Sequence, residues 1–271
     1  MTTLSVDKKA IIGVIGLGIM GSSFALNLLS RGYNVHVYNR TKEKAQPLVE
    51  KGATFHSTPR DLASVADVIM TSLTDEAAVD SVAYGEDGFL NGAKKGALWI
   101  DLSTIDPSVS LKHSEAAKQA GLDRLDTPVV GSKELASKGE LIILVGGNYE
   151  VFEKYESFLK ELGKSIIYLG SDGNGHKMKL AINLHLGLLA ESFSEALAFS
   201  QKLGFDTKTF VKTINKTPIG NYISQGKGSK IVEGNFEQLC CYGGILQSST
   251  KWRQKDFSVI ALEIQRKNGL I

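Results

Sequence analysis

The sequence predicts an α/β fold: a doubly wound, mainly parallel sheet, joined by one long helix to a second domain that is all helical. Three observations carry this. Apolar strand-like runs alternate with helical stretches as far as residue 169, and such alternation implies parallel strands linked by right-handed crossovers. Glycines stand in the spacing G-x-G-x-x-G straight after the first run, at Gly16, Gly18 and Gly21. Past residue 176 the strand signal vanishes and helical periodicity takes over.

Ile11–Ile15 is the first expected strand, and a helix over 21–31 comes next with Phe24, Leu26, Leu28 and Leu29 as its apolar residues. In such a strand–turn–helix unit each glycine has its own task. Gly16 permits the tight turn, Gly18 lets the backbone approach a pyrophosphate, and Gly21 lets the helix pack close to the strand. Leu17, Ile19 and Met20 fill the positions between them, and the unpaired N–H groups of the new helix suit phosphate oxygens. This is a Rossmann-like, dinucleotide-binding turn. The second strand, Asn34–Tyr38, ends in Asn39-Arg40-Thr41, where an NAD site usually carries Asp or Glu for the ribose 2′-hydroxyl. Here no carboxylate repels a 2′-phosphate, Arg40 offers one a planar fork, and Asn39 and Thr41 offer hydrogen bonds. These residues favour NADP(H) over NAD(H). Thr41 equally suits the cap of a helix expected over 42–51.

Further strands are expected at Asp67–Ser72 and Ala97–Asp101, with helices over 75–82 and 107–120. Leu73, in the loop after the first of these strands, joins the cofactor-binding candidates. Leu122–Asp126, Leu141–Val145 and Ser165–Leu169 extend the sheet. Gly170-Ser-Asp-Gly-Asn-Gly175 marks the boundary, which gives a cofactor-binding domain over 1–172 and a helical substrate and dimerisation domain over 173–271. Residues 176–203 read as one helix of about 28 residues, roughly 42 Å long. Its apolar residues, among them Leu184, Leu188, Phe193, Leu197 and Phe199, run nearly all round it. A helix of that kind suits burial by its own domain on one side and a second copy on the other, so a homodimer or homotetramer is expected. Shorter helices are expected over 206–215 and 222–232.

The composition narrows the class. With 271 residues and 42% hydrophobic content the chain buries a large core and has length for about two domains. Its 31 basic and 29 acidic residues give a net charge of +2 with no long single-sign run, and this balance gives no reason to invoke nucleic acid or a membrane as partner. No apolar stretch has transmembrane length, and the first residues lack a signal-peptide core. Cys240 and Cys241 are adjacent, and the histidines at 36, 56, 113, 176 and 185 are scattered, so no metal site is expected. The reading is a cytoplasmic protein.

Lys179 and Asn183 are four residues apart on the long helix and so share a face. A lysine that is partly desolvated beside a cationic nicotinamide has a lowered pKa and becomes a usable acid or base. Carbonyl reduction needs a hydride on carbon and a proton on oxygen, and Lys179 is the candidate for the proton. Asn183 would steady the same oxygen or the ammonium. A solvated pair explains the same spacing. Asp101-Leu-Ser-Thr104 lies at the carboxyl end of a parallel strand, where ligands bind in open α/β sheets. Ser103 and Thr104 are placed to meet a substrate carboxylate, or to cap the helix entered at Pro107. Thr104 also counts among the cofactor candidates. After Asp126, Gly131 and Ser132 offer N–H groups and a hydroxyl to a small anion.

At these residues the chain resembles the β-hydroxyacid dehydrogenase family, over roughly residues 11–236. Four ordered motifs carry the resemblance: Gly-Leu-Gly-Ile-Met-Gly (16–21), Asp-Leu-Ser-Thr (101–104), Thr-Pro-Val-Val-Gly-Ser-Lys (127–133) and Gly-Asn-Gly-His-Lys-Met-Lys-Leu-Ala-Ile-Asn (173–183). Asn39-Arg40-Thr41, Gly-Ser-Lys (131–133) and Lys-Met-Lys-Leu (177–180) resemble its glyoxylate/succinic semialdehyde reductase branch. The resemblance implies NADPH-dependent reduction of small carboxylated aldehydes, with Lys179 as catalytic acid, Asn183 as helper, and Ser103, Thr104, Gly131 and Ser132 near the substrate. Run backwards, the same site is a 3-hydroxyisobutyrate-type dehydrogenase. A non-catalytic NADP-binding scaffold is the remaining alternative, because the family's substrate-contacting serine is replaced by Val130 and the stretch after Phe236 departs from the family pattern. Asp256, next to Lys255, is matched to the family's Lys-Asp pair and is a further substrate-binding candidate.

Overall fold

The computed structural model describes residues 6–233. Asp256, Lys255, Cys240 and Cys241 lie outside the described residues. The first unit alternates strands and helices: β1 (Ile11–Ile15), α1 (Ile19–Ser30), β2 (Asn34–Tyr38), α2 (Gln46–Val49), β3 (Thr54–Phe55), α3 (Pro59–Val65), β4 (Val68–Thr71), α4 (Glu76–Ala83), β5 (Leu98–Asp101), α5 (Pro107–Gln119) and β6 (Asp123–Asp126), of which β3 and α3 are not among the expected elements. The chain continues through β7 (Val129–Val130), α6 (Lys133–Lys138), β8 (Leu141–Gly147), α7 (Tyr149–Leu162) and β9 (Gly163–Tyr168). The strand order is β3-β2-β1-β4-β5-β6-β8-β7, with β9 paired to β8. From β3 to β6 all pairings are parallel, whereas β8 runs antiparallel to both β6 and β7. The order reverses at β1, so the loops after β1 and β4 meet where such sheets bind ligands.

Strand alternation builds a core on each face of the sheet. Val68, Met70, Leu98 and Ile100 pack with Phe24 and Leu28 of α1 and Phe158 and Leu162 of α7. Their neighbours Ile69 and Trp99 turn the other way, to Leu62 of α3, Val79 of α4, Phe89 and Ala117 of α5. Each fully buried side chain of this size contributes about 1.5–3 kcal/mol of burial free energy. The helices start where short polar side chains cap them. Thr58 accepts from the Asp61 N–H, Asp75 from Ala78, Asp106 from Ser108, and Asn148 from Glu150 and Val151. Asp106, rather than Ser103 or Thr104, is therefore the cap of α5.

Two segments divide differently from expectation. Residues 42–51 do not form one helix: a 3₁₀ turn covers Lys42–Ala45, and α2 starts only at Gln46. Pro47 explains the break, because it suits a helix's first turn and donates no N–H within one. The 222–232 segment divides into a π turn, Ile223–Lys227, and α10. By compactness the chain divides between Lys179 and Leu180, inside α8 (Asn174–Lys202). The second unit continues with α9 (Thr207–Ile214) and α10 (Gly228–Val232), around a core of Phe193, Leu197, Val211 and Ile223. No helix among the described residues is long and apolar enough to cross a membrane.

Candidate active site

The site is built on the carboxyl ends of the parallel strands. Backbone hydrogen bonds lace these ends together: Gly16 donates to Tyr38, Ser72 to Ile15, Leu102 to Thr71 and Thr127 to Asp101, all within 2.8–3.0 Å. Gly16 adopts φ +95°, and a Cβ there would come within 2.5 Å of the Ser72 carbonyl oxygen and 2.6 Å of Leu73 Cδ2. Positive φ and the close approach of the β4 loop both demand glycine at this position. A Cβ on Gly21 would overlap the carbonyl oxygen of Gly16, which is why α1 packs so near the turn. Gly18 differs, since a Cβ there would meet no protein atom within 4 Å. Gly18 is also the N-cap of α1 and supplies no side-chain hydrogen bond, so the first-turn N–H groups remain for a ligand. The turn thus fits a dinucleotide's pyrophosphate. Leu17 is buried, while Ile19 is exposed and Met20 half-buried.

We expect Gly21→Ala to lower Tm by several degrees, since overpacking against backbone costs about 1–3 kcal/mol and each kcal/mol is worth roughly 2–4 °C in a chain of this size. Calorimetry beside a cofactor-binding titration checks it, with binding weakened in step.

At the end of β2, Asn39 Oδ1 accepts from the Leu17 N–H (2.9 Å) and its Nδ2 donates to the Thr41 carbonyl (2.8 Å). Asn39 therefore ties the glycine turn to the Arg40–Thr41 loop. Arg40 is exposed and forms no ion pair among the described residues, and the Thr41 side chain makes no capping hydrogen bond. Both remain available to a ligand.

The β4 and β5 loops are joined as well. The Leu73 N–H donates to Ser103 Oγ (3.1 Å), and the Ser103 N–H donates to Asp101 Oδ1 (3.1 Å). Ser103 is 2% exposed, so its hydroxyl locks two loops together. Thr104 beside it is half-buried and forms no side-chain hydrogen bond among the described residues. Gly131 and Ser132 come after β7, one strand further on than expected, and Ser132 stands at the N-cap of α6 without a capping side-chain bond. No hydrogen bond joins either residue to Thr104 or Lys179 among the described residues.

Beneath these loops lies a buried charged cluster that sequence reasoning did not assign. Asp101, with no exposure, accepts from Thr71 Oγ1 (2.9 Å) and Arg124 Nη2 (3.2 Å). Arg124 also donates to Ser114 and Ser110 and lies over the Trp99 ring at 4.7 Å. Burial alone would raise the Asp101 carboxyl, but the His176 imidazole, the Arg124 guanidinium and the Ser103 and Thr71 hydrogen bonds hold it below the usual range. Across the strand pairing, Asp126 stands opposite Asp101. Its counter-charge is a helix end: Asp126 accepts from the N–H groups of Gly173 (2.8 Å) and His176 (3.2 Å). Gly175 fits only because it lacks a Cβ, which would reach 2.6 Å from Asp126 Oδ2. The first turn of α8 is thereby fixed to the first unit.

Lys179 stands one turn along α8. It is half-buried, and burial alone lowers its pKa to about 8; no carboxylate pairs with it among the described residues. Asn183, one further turn on, is 4% exposed, and its Oδ1 has no hydrogen-bond partner among the described residues. Lys177 is exposed and bonds Asn174 instead. A separate cavity of about 250 Å³ opens at the amino ends of the strands, lined by Val6, Asp67, Lys94, Ala97 and Tyr155 among others, and shares no residue with this site.

Comparison with known proteins places this geometry. Residues 11–170 match the family described as the NAD binding domain of 6-phosphogluconate dehydrogenase. Residues 173–241 match the NAD-binding domain of NADP-dependent 3-hydroxyisobutyrate dehydrogenase. The chain is 38% identical over 229 residues to the uncharacterized oxidoreductase YkwC of Bacillus subtilis, covering 84% of this chain and 80% of that one. It is also 38% identical over 225 residues to the chloroplastic glyoxylate/succinic semialdehyde reductase 2 of Arabidopsis thaliana, covering 83% of this chain and 63% of the relative's length. A 3-hydroxyisobutyrate dehydrogenase structure from Mycobacterium tuberculosis, with L-serine, superposes with a TM-score of 0.70 at 26% identity, over 80% of this chain and 73% of that one. The glycine turn, the laced strand ends and these likenesses agree: the chain belongs to the β-hydroxyacid dehydrogenase family of NAD(P)-dependent oxidoreductases.

Proposed function

We propose that the chain is an NADPH-dependent reductase of small aldehydes carrying a carboxylate, such as glyoxylate or succinic semialdehyde, with Lys179 as proton donor. The observation that carries this reading is an ammonium, unpaired among the described residues, whose burial lowers its pKa to about 8. A group with a pKa near the working pH is both protonated often enough and acidic enough to protonate an oxygen in the transition state. The reduced nicotinamide, when bound, supplies the hydride. Lys179 gives its proton to the carbonyl oxygen as negative charge develops there, and ends as the neutral amine. Asn183 offers a buried acceptor to the ammonium or to the substrate's hydroxyl. The Thr104 hydroxyl, with Gly131 and Ser132, is assigned to the substrate carboxylate. Read in reverse, the same groups oxidise a 3-hydroxy acid.

The preference for NADPH rests on Arg40 and Thr41, and the NADP-dependent family matched over residues 173–241 supports it. Arg40→Asp is expected to weaken NADPH relative to NADH by about 10–100-fold, the loss of one charge-assisted contact of about 1.5–3 kcal/mol. Titrating both dinucleotides into the variant measures the ratio, and an unchanged ratio would remove Arg40 from the assignment. The activity itself is tested by mixing NADPH with glyoxylate or succinic semialdehyde and monitoring loss of the reduced nicotinamide absorbance. NADPH binding with no turnover of either aldehyde, or of a 3-hydroxy acid in reverse, favours the scaffold reading instead. We extend the proposal to a homo-oligomer, because Leu188 and Phe199 leave α8 with 49% and 63% exposed apolar side chains that a second copy would cover. Sedimentation of the purified chain tests that.

A further inference from the structure

His176 is fully buried, yet neither ring nitrogen has a hydrogen-bond partner among the described residues. The mechanism above does not use it. Its Nε2 lies 3.8 Å from Asp101 Oδ2, just beyond hydrogen-bond length, and its backbone N–H is one of the two bonds by which Asp126 caps α8. The ring thus stands between the carboxylate that holds the Ser103–Thr104 loop and the helix turn that carries Lys179 three residues later. Residues at that spacing lie on one helix face. Leaving two buried nitrogens unpaired is costly, and a donor aimed at Asp101 from this distance needs only a small approach to bond it. The charged and titratable groups around the ring are Asp101 of β5, Asp126 and Arg124 of β6, and His113 of α5. Burial pushes the imidazole below the ordinary histidine value against the opposing pull of Asp101 and Asp126, and in either protonation state the ring has an N–H to give.

We propose that His176 is a positioning residue: it braces the first turn of α8 against Asp101 and so keeps the Lys179 ammonium in its partly dehydrated setting. The proposal rests on the role given to Lys179 above. Burial is the cause of the lowered Lys179 pKa, and among the described residues no facing carboxylate or second cation contributes. Loosening the brace therefore lets water return to the ammonium and moves its pKa up, towards that of a free lysine. A defect that merely unfolds a fraction of the molecules scales activity down without moving that midpoint.

The test uses His176→Leu, which removes the donor, and His176→Gln, which keeps an N–H at similar reach. Competitive labelling of Lys179 with acetic anhydride across pH, read by mass spectrometry, gives the midpoint whether or not any aldehyde is turned over. The leucine variant is expected to raise the midpoint by at least one unit and to lower kcat about 10-fold or more, with NADPH binding unchanged. The glutamine variant should hold the midpoint near that of the unaltered chain and kcat within about 3-fold. A leucine variant with an unmoved midpoint overturns the proposal, as does a glutamine variant that shifts as far as leucine. If the leucine variant does not fold, His176→Ala, which also removes the donor, takes its place: a raised midpoint supports the brace and an unmoved one refutes it. Failure of the parent reading looks different, because then Lys179→Ala itself leaves turnover intact.

Discussion

Lys179→Ala should reduce kcat for aldehyde reduction by about 10²–10⁴-fold while NADPH still binds, since a positioned proton donor contributes that factor. The pH profile sharpens the expectation. Reduction needs the ammonium form, so in the unaltered chain kcat is flat on the acid side and falls as pH rises through about 8, the value to which burial brings this lysine. The alanine variant should lose that alkaline limb together with the rate. Steady-state kinetics across pH, with dinucleotide affinity measured separately, separates this from a binding defect. A variant that retained the limb would assign it to some other group.

Arg124→Met carries the largest expected cost in stability. It strips Asp101 of a guanidinium at 3.2 Å and leaves a carboxylate of no exposure without its cation. Breaking a buried pair from one side costs about 3–5 kcal/mol, or roughly 6–20 °C in Tm for a chain of this length. Linkage sets the sign with pH. A carboxyl held low in the folded state adds stability above its unfolded pKa and loses it as pH falls through the folded value. Without Arg124 one of the groups that hold the carboxyl low is gone and its pKa rises, so the deficit of the variant should be greatest near neutral pH and shrink on acidification. Adding Asp101→Asn to Arg124→Met should recover part of the loss, because the orphaned charge is gone. Thermal denaturation of both variants at several pH values checks this. A deficit independent of pH would show that lost packing over Trp99, rather than charge, set the cost.

Much of the architecture is readable in the chain, for identifiable reasons. β1 and β2 have the bounds expected of them because each is a short run bounded by turn chemistry, and the glycine triplet dictates the turn and helix after β1. α7 is absent from the expected elements, although Asn148 caps it and Tyr155, Phe158, Leu159 and Leu162 repeat at helical spacing. Its interleaved glutamates and lysines hide that stripe from a search for apolar runs. β7, at two residues, is too short to show a period. The Asp101–Arg124–His176 cluster is illegible in the sequence for another reason. It exists only because strand register sets Asp101 beside Asp126, and because Asp126 reaches a helix 47 residues later to cap it. The local clue is the density of charge in β6, where Asp123, Arg124 and Asp126 surround a single leucine. For the same reason the sequence does not show that a cap supplied from β6 binds the start of α8 to the sheet.

The double bond made by Asn39 bears on any attempt to re-engineer cofactor choice. An aspartate installed there, as NAD enzymes commonly have, would still accept from Leu17 but would lose the donor that holds the Thr41 carbonyl. Redesign at that position would disturb the Arg40–Thr41 loop along with the glycine turn, whereas Arg40, bonded to no other described side chain, can be changed without breaking either tie.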